Sequence, residues 1–159
     1  MHTPHYVSDD IFVRAPPKQT LKAWAPFWDC VTILFEFQNS DVDEDRPDWK
    51  LFWVAGIALL RAIGHVLAKS DAIVSPKHKV EVNKLWEEWK SAPTENAIFW
   101  DFIEDERNNI LKTYEFGAKL AKNEGGYYVS YKNEEDAFGM FRNAVYWWRY
   151  HLEALERRL

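Results

Sequence analysis

Residues 48–69 read DWKLFWVAGIALLRAIGHVLAK, and this stretch decides the fold class. Apolar residues fill nearly every position at its start instead of one side of a helix. Such a helix is stable where other elements surround it, so the sequence predicts a central helix over 48–69, with Asp48 capping its first turn. The uncharged run 51–60 is closed by Arg61 and is shorter than the roughly 18 to 20 apolar residues that span a bilayer, so no membrane span is predicted.

Four further stretches on either side of this helix show helical spacing of apolar residues. One predicted helix begins near Ala25 and ends near 39, and another includes Val80 to Trp89. The remaining two cover 95–123 and 134–159. Glycines at 125 and 126 are expected to stop the fourth helix, and the strand-forming run 127–132 follows them. The predicted fold is therefore all-α, an antiparallel bundle of four or five helices with a short hairpin or loop near 125–133.

Length and composition predict one domain. The chain has 159 residues, of which 47% are hydrophobic and 16% aromatic, enough for a core without disulfides or metal. We expect an N-terminal arm at 1–18 and a single helical domain at 19–159. A lone cysteine, Cys30, and the lack of a basic and apolar start favour a cytoplasmic protein. A net charge of −5 argues against nucleic-acid binding by the whole surface, so any such contact must be local.

The sequence contains no complete metal-binding or cofactor-binding motif. Asp41, Asp43 and Asp45 alternate like calcium ligands, but Arg46 and Phe52 stand where that loop needs glycine and glutamate. The five histidines show no ligand spacing: His2, His5, His65, His78 and His151. Since there is also no phosphate-binding glycine loop, we predict neither metal nor cofactor.

The fourth predicted helix carries the most informative polar residues. At about 100° per residue, one sector of it is apolar and should face the core: Phe99, Ile103, Ile110 and Tyr114. Asn108 and Lys112 lie roughly opposite that sector, and Arg107 lies at its edge. These three can therefore reach solvent, a cleft or a partner chain together. The alternative is an ordinary solvated face, on which the acidic run 104–106 forms weak ion pairs with Arg107.

Residues 107–114, RNNILKTY, resemble the motif of the HEPN superfamily (higher eukaryotes and prokaryotes nucleotide-binding domain). That motif has an arginine, often followed by Asn, Asp or His, and a histidine five positions after the arginine. Some members, paired with minimal nucleotidyltransferases in toxin–antitoxin systems, have a tyrosine two positions further on. Arg107, Asn108 and Tyr114 match this pattern, and Lys112 stands in place of the histidine. The resemblance covers about 51–117.

The resemblance implies a helical homodimer whose motif helices face each other and cleave RNA without metal. Arginine would stabilise the charge on the phosphate, and histidine would move the proton of the 2′-hydroxyl. Lys112 is a poor base at neutral pH unless a dry or cationic setting lowers its pKa, which opposed copies of Arg107 and Lys112 would supply. The family also implies that a partner nucleotidyltransferase could modify Tyr114, although the predicted core orientation of this ring disfavours it.

Arg61 and His65 are a second candidate pair, because four-residue spacing puts them on one face of the central helix. If that face adjoins Arg107, His65 can supply the missing imidazole. The alternative for His65 is a core histidine that is hydrogen-bonded to backbone or to an acidic neighbour.

The nine tryptophans could stack on bases, but helical spacing places most of them in the core or at a dimer interface. Trp147 and Trp148 are adjacent on the last helix, so both cannot point inward equally.

Together these residues predict a HEPN-like homodimer that binds RNA or is a weak metal-independent ribonuclease, through Arg107, Asn108 and Lys112 or through Arg61 and His65. The alternative is a non-catalytic helical interaction protein in which these residues make surface or dimer contacts. Whether the chain is an enzyme is left open by the sequence.

Overall fold

The structure is a computed structural model that describes residues 18–132 and 135–159. Within these ranges the protein is mostly helical, with five α-helices and a small antiparallel sheet, so the all-α class holds only in its coarser form. The helices are α1 (Trp24–Asn39), α2 (Asp48–Val66), α3 (Pro76–Ser91), α4 (Asp105–Thr113) and α5 (Ala137–Arg158). The strands are β1 (Ala118–Asn123), β2 (Gly126–Tyr131) and β3 (Glu135–Asp136), in the order β1-β2-β3. The predicted arm lies almost wholly outside the described residues.

Two π-helical segments extend the helices. Leu67–Asp71 continues α2, and Ile98–Glu104 leads into α4. The second segment carries Phe99, Phe102 and Ile103 into the core, as the predicted apolar sector requires. Wide turns of this kind are rare and often occur at functional sites.

The central helix α2 is covered on one side only. Trp53, Ile57 and Leu60 are buried, whereas Leu51 is 70% exposed and Ala55 lies on the surface. The expectation that other elements surround it was therefore wrong, because α1, α4 and α5 all pack on one face. Asp48 is the first residue of α2, but its carboxylate makes no capping hydrogen bond.

The segment Asp48–Asp71 is long and apolar enough to cross a membrane, and 39% of its most apolar window is buried in the protein. Core helices of soluble proteins meet the same criterion.

Two carboxylates from distant helices cap α1, which has no side-chain cap of its own. Glu156 on α5 accepts hydrogen bonds from the amides of Thr20 and Leu21 at 2.6 and 2.8 Å. Asp71, at the end of the first π-helical segment, accepts from Lys22 and Ala23 at 2.7 and 3.0 Å. The negative charges lie at the positive end of the α1 dipole, where they stabilise the helix.

The fourth helix is shorter than the sequence predicted. It ends at Thr113 because Tyr114 adopts a left-handed conformation with φ 54°, and residues 118–123 form β1 instead of further helical turns. β1 pairs antiparallel with β2, with Ala118 opposite Tyr131, so Gly125 lies in the hairpin turn and Gly126 begins β2, and neither stops a helix. The predicted hairpin is present, but its first strand was assigned to a helix.

The buried carboxylate of Glu106 fixes this change of direction. It accepts hydrogen bonds from Trp53 Nε1 at 3.0 Å, from the Gly117 amide at 2.9 Å and from the Ala118 amide at 3.2 Å. Gly117 is required here, since a Cβ atom would lie 2.6 Å from the ring of Tyr131. Glu106 thus joins α2, α4 and the sheet at one point.

Candidate functional site

Four charged or titratable side chains from α2 and from the junction of the second π-helical segment with α4 lie together. We call them the Arg61–Arg107 cluster; its members are Arg61, His65, Glu104 and Arg107. Arg61 Nη2 is 4.0 Å from Glu104 Oε1. Arg107 lies near enough to lower the pKa of both Arg61 and His65 through its positive charge. The structure therefore meets the condition under which His65 was predicted to stand in for the missing histidine.

Arg61 is a largely buried cation with few partners. Its side chain is 14% exposed, and its guanidinium carbon lies 5.7 Å and 5.4 Å from the ring centroids of Trp86 and Phe99. Nε and Nη1 are buried without a hydrogen-bond partner among the described residues. Burial lowers the pKa of Arg61, against the opposing effect of Glu104. Nη2, which lies toward Glu104, is the donor that is not buried in this way and is the one left to contact an anionic ligand.

His65 is exposed at the edge of the cluster. Partial desolvation of its ring and the positive charges of Arg61 and Arg107 lower its pKa, whereas Glu104 acts in the opposite direction. The imidazole is consequently neutral at pH 7 and able to accept a proton.

Arg107 is half-buried on α4, and its Nη1 donates a hydrogen bond to Asn108 Oδ1 at 3.0 Å. Asn108 therefore orients Arg107, and the two lie together as the sequence predicted. Lys112 is fully on the solvent side of α4. Five residues correspond to about 140° around a helix, so Lys112 points away from Arg107 and does not belong to the cluster.

Tyr114 does not face the core. It is 60% exposed, and its ring lies 4.8 Å from Phe116 and 5.1 Å from Lys50 Nζ. The core orientation was wrong because it assumed that α4 continues through residue 114, whereas the helix has already ended there.

Glu104 and the two rings that hold Arg61 were not identified from the sequence as parts of the site. Gly64 leaves room for Arg61, since a Cβ there would lie 3.0 Å from Arg61 Nη1 and 3.3 Å from Trp86. The sequence carries no local signal for this packing.

A second cleft lies on the other flank of α4 and has a volume of about 480 Å³. Asn109, Phe116, Lys119 and Lys132 line it, and Lys132 Nζ is 2.8 Å from Asp105 Oδ2. The exposed residues of α4, with Lys112 among them, separate this cleft from the Arg61–Arg107 cluster.

Among the residues that the structure describes, no group of three or more His, Cys, Asp or Glu side chains could hold a metal ion.

Comparison with protein-family models, curated proteins and solved structures finds no match to this chain. The resemblance to the HEPN superfamily therefore rests on the sequence alone.

Proposed function

We propose that the protein is a cytoplasmic, HEPN-like homodimer that binds RNA and cleaves it weakly without metal through the Arg61–Arg107 cluster. The observation that supports this most is the position of His65, a neutral imidazole beside two arginines. The same two residue types, histidine and arginine, perform the reaction that the resemblance implies. Lys112 is replaced as the base by His65, and Asn108 acts as a positioning residue for Arg107.

The chemistry follows from these groups. A His65 ring nitrogen takes the proton of a ribose 2′-hydroxyl, and the 2′ oxygen forms a bond to the adjacent phosphorus. The bond from phosphorus to the 5′ oxygen breaks, and that oxygen takes a proton from water. The products are a 2′,3′-cyclic phosphate and a 5′-hydroxyl. Arg61 and Arg107 stabilise the negative charge that develops on the phosphate oxygens.

An RNA chain that crosses α4 would meet Lys112 between the cluster and the second cleft. Lysine is suited to a phosphate contact, which adds affinity that depends on salt and not on sequence. Lys119 at the second cleft is exposed and would extend the same path.

The test is cleavage of end-labelled RNA by the purified protein in EDTA, with the all-deoxy oligonucleotide as a substrate that lacks the 2′-hydroxyl. His65→Gln and Arg107→Ala should each lower the rate about 100-fold or more, since each removes a group that acts in the transition state. Lys84→Gln, an exposed lysine on α3 that pairs with Glu81, is the matched control and should leave the rate unchanged. Circular dichroism verifies the fold of each variant. Cleavage by folded Arg107→Ala at the full rate, or no binding and no cleavage of any RNA, contradicts the proposal.

A non-catalytic interaction protein is the second candidate, and the exposed apolar side of α2 favours it. Leu51 is 70% exposed, and Ala55 and Ala58 continue the same face. Under this alternative, the unsubstituted protein does not cleave RNA, Leu51→Lys weakens self-association, and Arg107→Ala affects surface or dimer contacts only. Sedimentation of both variants together with the cleavage assay separates the two candidates.

Modification of Tyr114 by a partner nucleotidyltransferase is supported by the exposure of its ring. Mass spectrometry of the protein produced together with such an enzyme should show a nucleotide adduct that Tyr114→Phe lacks.

A further inference from the structure

A cleft that shares no residue with the Arg61–Arg107 cluster is formed by the last turn of α3, the following turn and α5. It has a volume of about 540 Å³. Trp147, Tyr150 and His151 of α5 line one wall, and Glu88 and Glu95 lie at the opposite rim. None of these residues has a part in the proposed cleavage of RNA.

Aromatic side chains form one wall of this cleft. Trp147 is half-buried, as its neighbour Trp148 takes the core position, and its ring centroid lies 4.4 Å from that of His151. Tyr150 is 66% exposed and stands edge-on to His151 at 5.1 Å. The face of an aromatic ring carries negative potential, which attracts cations.

His151 adds no positive charge to this wall. Trp89 Nε1 donates a hydrogen bond to His151 Nδ1 at 3.4 Å, so Nδ1 carries the lone pair and the proton is on Nε2. Burial and the charge of Arg158 lower the pKa of His151 to about 4, in agreement with a neutral ring.

The aromatic wall is rigid, and its strongest donor is already used. Trp147 Nε1 donates to Asn96 Oδ1 at 3.2 Å, which fixes the indole and leaves it no N–H for an anion. Trp147 also packs against Trp89 and Phe99, at ring-centroid distances of 4.6 and 5.6 Å, whereas the ring of Tyr150 is exposed. The cleft thus offers aromatic rings without a free indole donor.

The rim is acidic. Glu88 is 54% exposed and lies 3.6 Å from Arg158, a weak ion pair at the surface. Glu95 is exposed and has no ion pair within the described ranges. Ring faces on one side and carboxylates on the other are complementary to an organic cation and repel an anion.

We propose that the cleft lined by Trp147, Tyr150 and Glu95 binds an alkylated ammonium group, the chemistry that free choline-like molecules share with methylated lysine side chains. The ammonium lies against the rings of Trp147 and Tyr150, and the carboxylates of Glu88 and Glu95 balance its charge.

Isothermal titration calorimetry of the full chain with choline tests this proposal, with 3,3-dimethylbutan-1-ol as the uncharged molecule of the same shape. Choline should bind at least about 10-fold more tightly than the alcohol, since the rings and the carboxylates attract a cation and not an uncharged group. Equal binding of the two, or no binding of choline up to tens of millimolar, overturns the proposal.

Variants locate the site. Tyr150→Ala removes an exposed ring and should weaken choline binding about 3- to 10-fold, and Glu95→Gln should weaken it about 3-fold. Glu87→Gln, an exposed acid on α3 that pairs with Lys90, is the matched control and should leave binding unchanged. Arg158→Gln frees Glu88 and should tighten binding, an effect that a purely structural role of Arg158 does not produce. Unchanged affinity in both folded Tyr150→Ala and Glu95→Gln contradicts the assigned cleft.

A trimethyllysine peptide distinguishes the two sources of this group. Tighter binding of the peptide than of tetramethylammonium assigns the cleft to a protein side chain, and equal affinity assigns it to a free ammonium compound. Failure of these titrations leaves the RNA assay unaffected, because the two sites share no residue.

Discussion

Glu104 and Glu106 are two residues apart in the same acidic run, and their surroundings differ completely. Glu106 is fully buried, and its carboxylate accepts hydrogen bonds from an indole and two backbone amides. The Glu104 side chain is 30% exposed, and its ion pair in the described part of the chain is the 4.0 Å contact with Arg61. Two residues correspond to about 200° around a helix, which places one carboxylate in the core and the other at the cluster. A saturated carboxylate stabilises the fold, whereas a weakly paired one leaves the neighbouring arginines able to bind a ligand.

The largest loss of stability is expected when the Glu106 carboxylate is removed. Glu106→Ala leaves Trp53 Nε1 and the amides of Gly117 and Ala118 buried without acceptors, which should lower the free energy of unfolding by about 3–5 kcal/mol. Glu104→Ala is the matched control and should change it by less than about 1 kcal/mol. Urea denaturation measures both. Similar losses of unfolding free energy in the two variants would contradict the different roles assigned to these carboxylates.

His65 is exposed and His151 is partly buried, a difference like that between the two glutamates. The pH dependence of stability tests it for His151. His151 has its pKa lowered to about 4. Below the ordinary value near 6.5 the unfolded chain takes up a proton before the folded protein does, so stability is present above that pH and is lost as pH falls towards 4. We expect His151 to contribute a loss of roughly 2–3 kcal/mol over this window, allowing for partial solvent screening. Thermal or urea unfolding from pH 7 to pH 4 should show a smaller loss of stability in His151→Gln than in the unsubstituted protein. An equal loss in the two would contradict the lowered pKa of His151.

The smallest change in stability is expected at the end of α4, which the hydrogen bonds of Glu106 hold in place. Tyr114 is the non-glycine residue of the described chain with positive φ, a conformation that glycine adopts without a steric cost. Tyr114→Gly should therefore be more stable than Tyr114→Ala by about 1 kcal/mol, since both lose the ring but only glycine relieves the strain. Equal denaturation midpoints would show that the helix does not end in this conformation in solution.

The ends of the long helices could be predicted because their signals are local. Pro26 in a first turn and the polar residues after Asn39 define α1, and the predicted start near Ala25 is one residue from the observed start at Trp24. β1 could not be predicted in this way. Its residues, Ala118 to Asn123, favour helix by composition, and the strand is fixed by pairing with β2 and by the carboxylate of Glu106.

The candidate site was predictable as a set of residues but not as an arrangement. Helical spacing joined Arg61 with His65, and adjacency joined Arg107 with Asn108. The approach of the two groups depends on how α2 packs beside α4, and the spacing within one helix carries no information on that packing. Lys112 was grouped with Arg107 because both lie outside the apolar sector of the helix and both fall in the motif, although about 140° of helix separates the two side chains.

The pH dependence of RNA cleavage in EDTA tests the central claim most directly, since it identifies the base. With His65 as the base, the rate should rise with pH and level off below the ordinary histidine value of about 6.5, because the pKa of His65 is lowered. His65→Gln should remove this rise, and Lys112→Gln should retain it. A rate that continues to increase towards the lysine value of about 10.4, or a profile that His65→Gln leaves unchanged, would contradict the account.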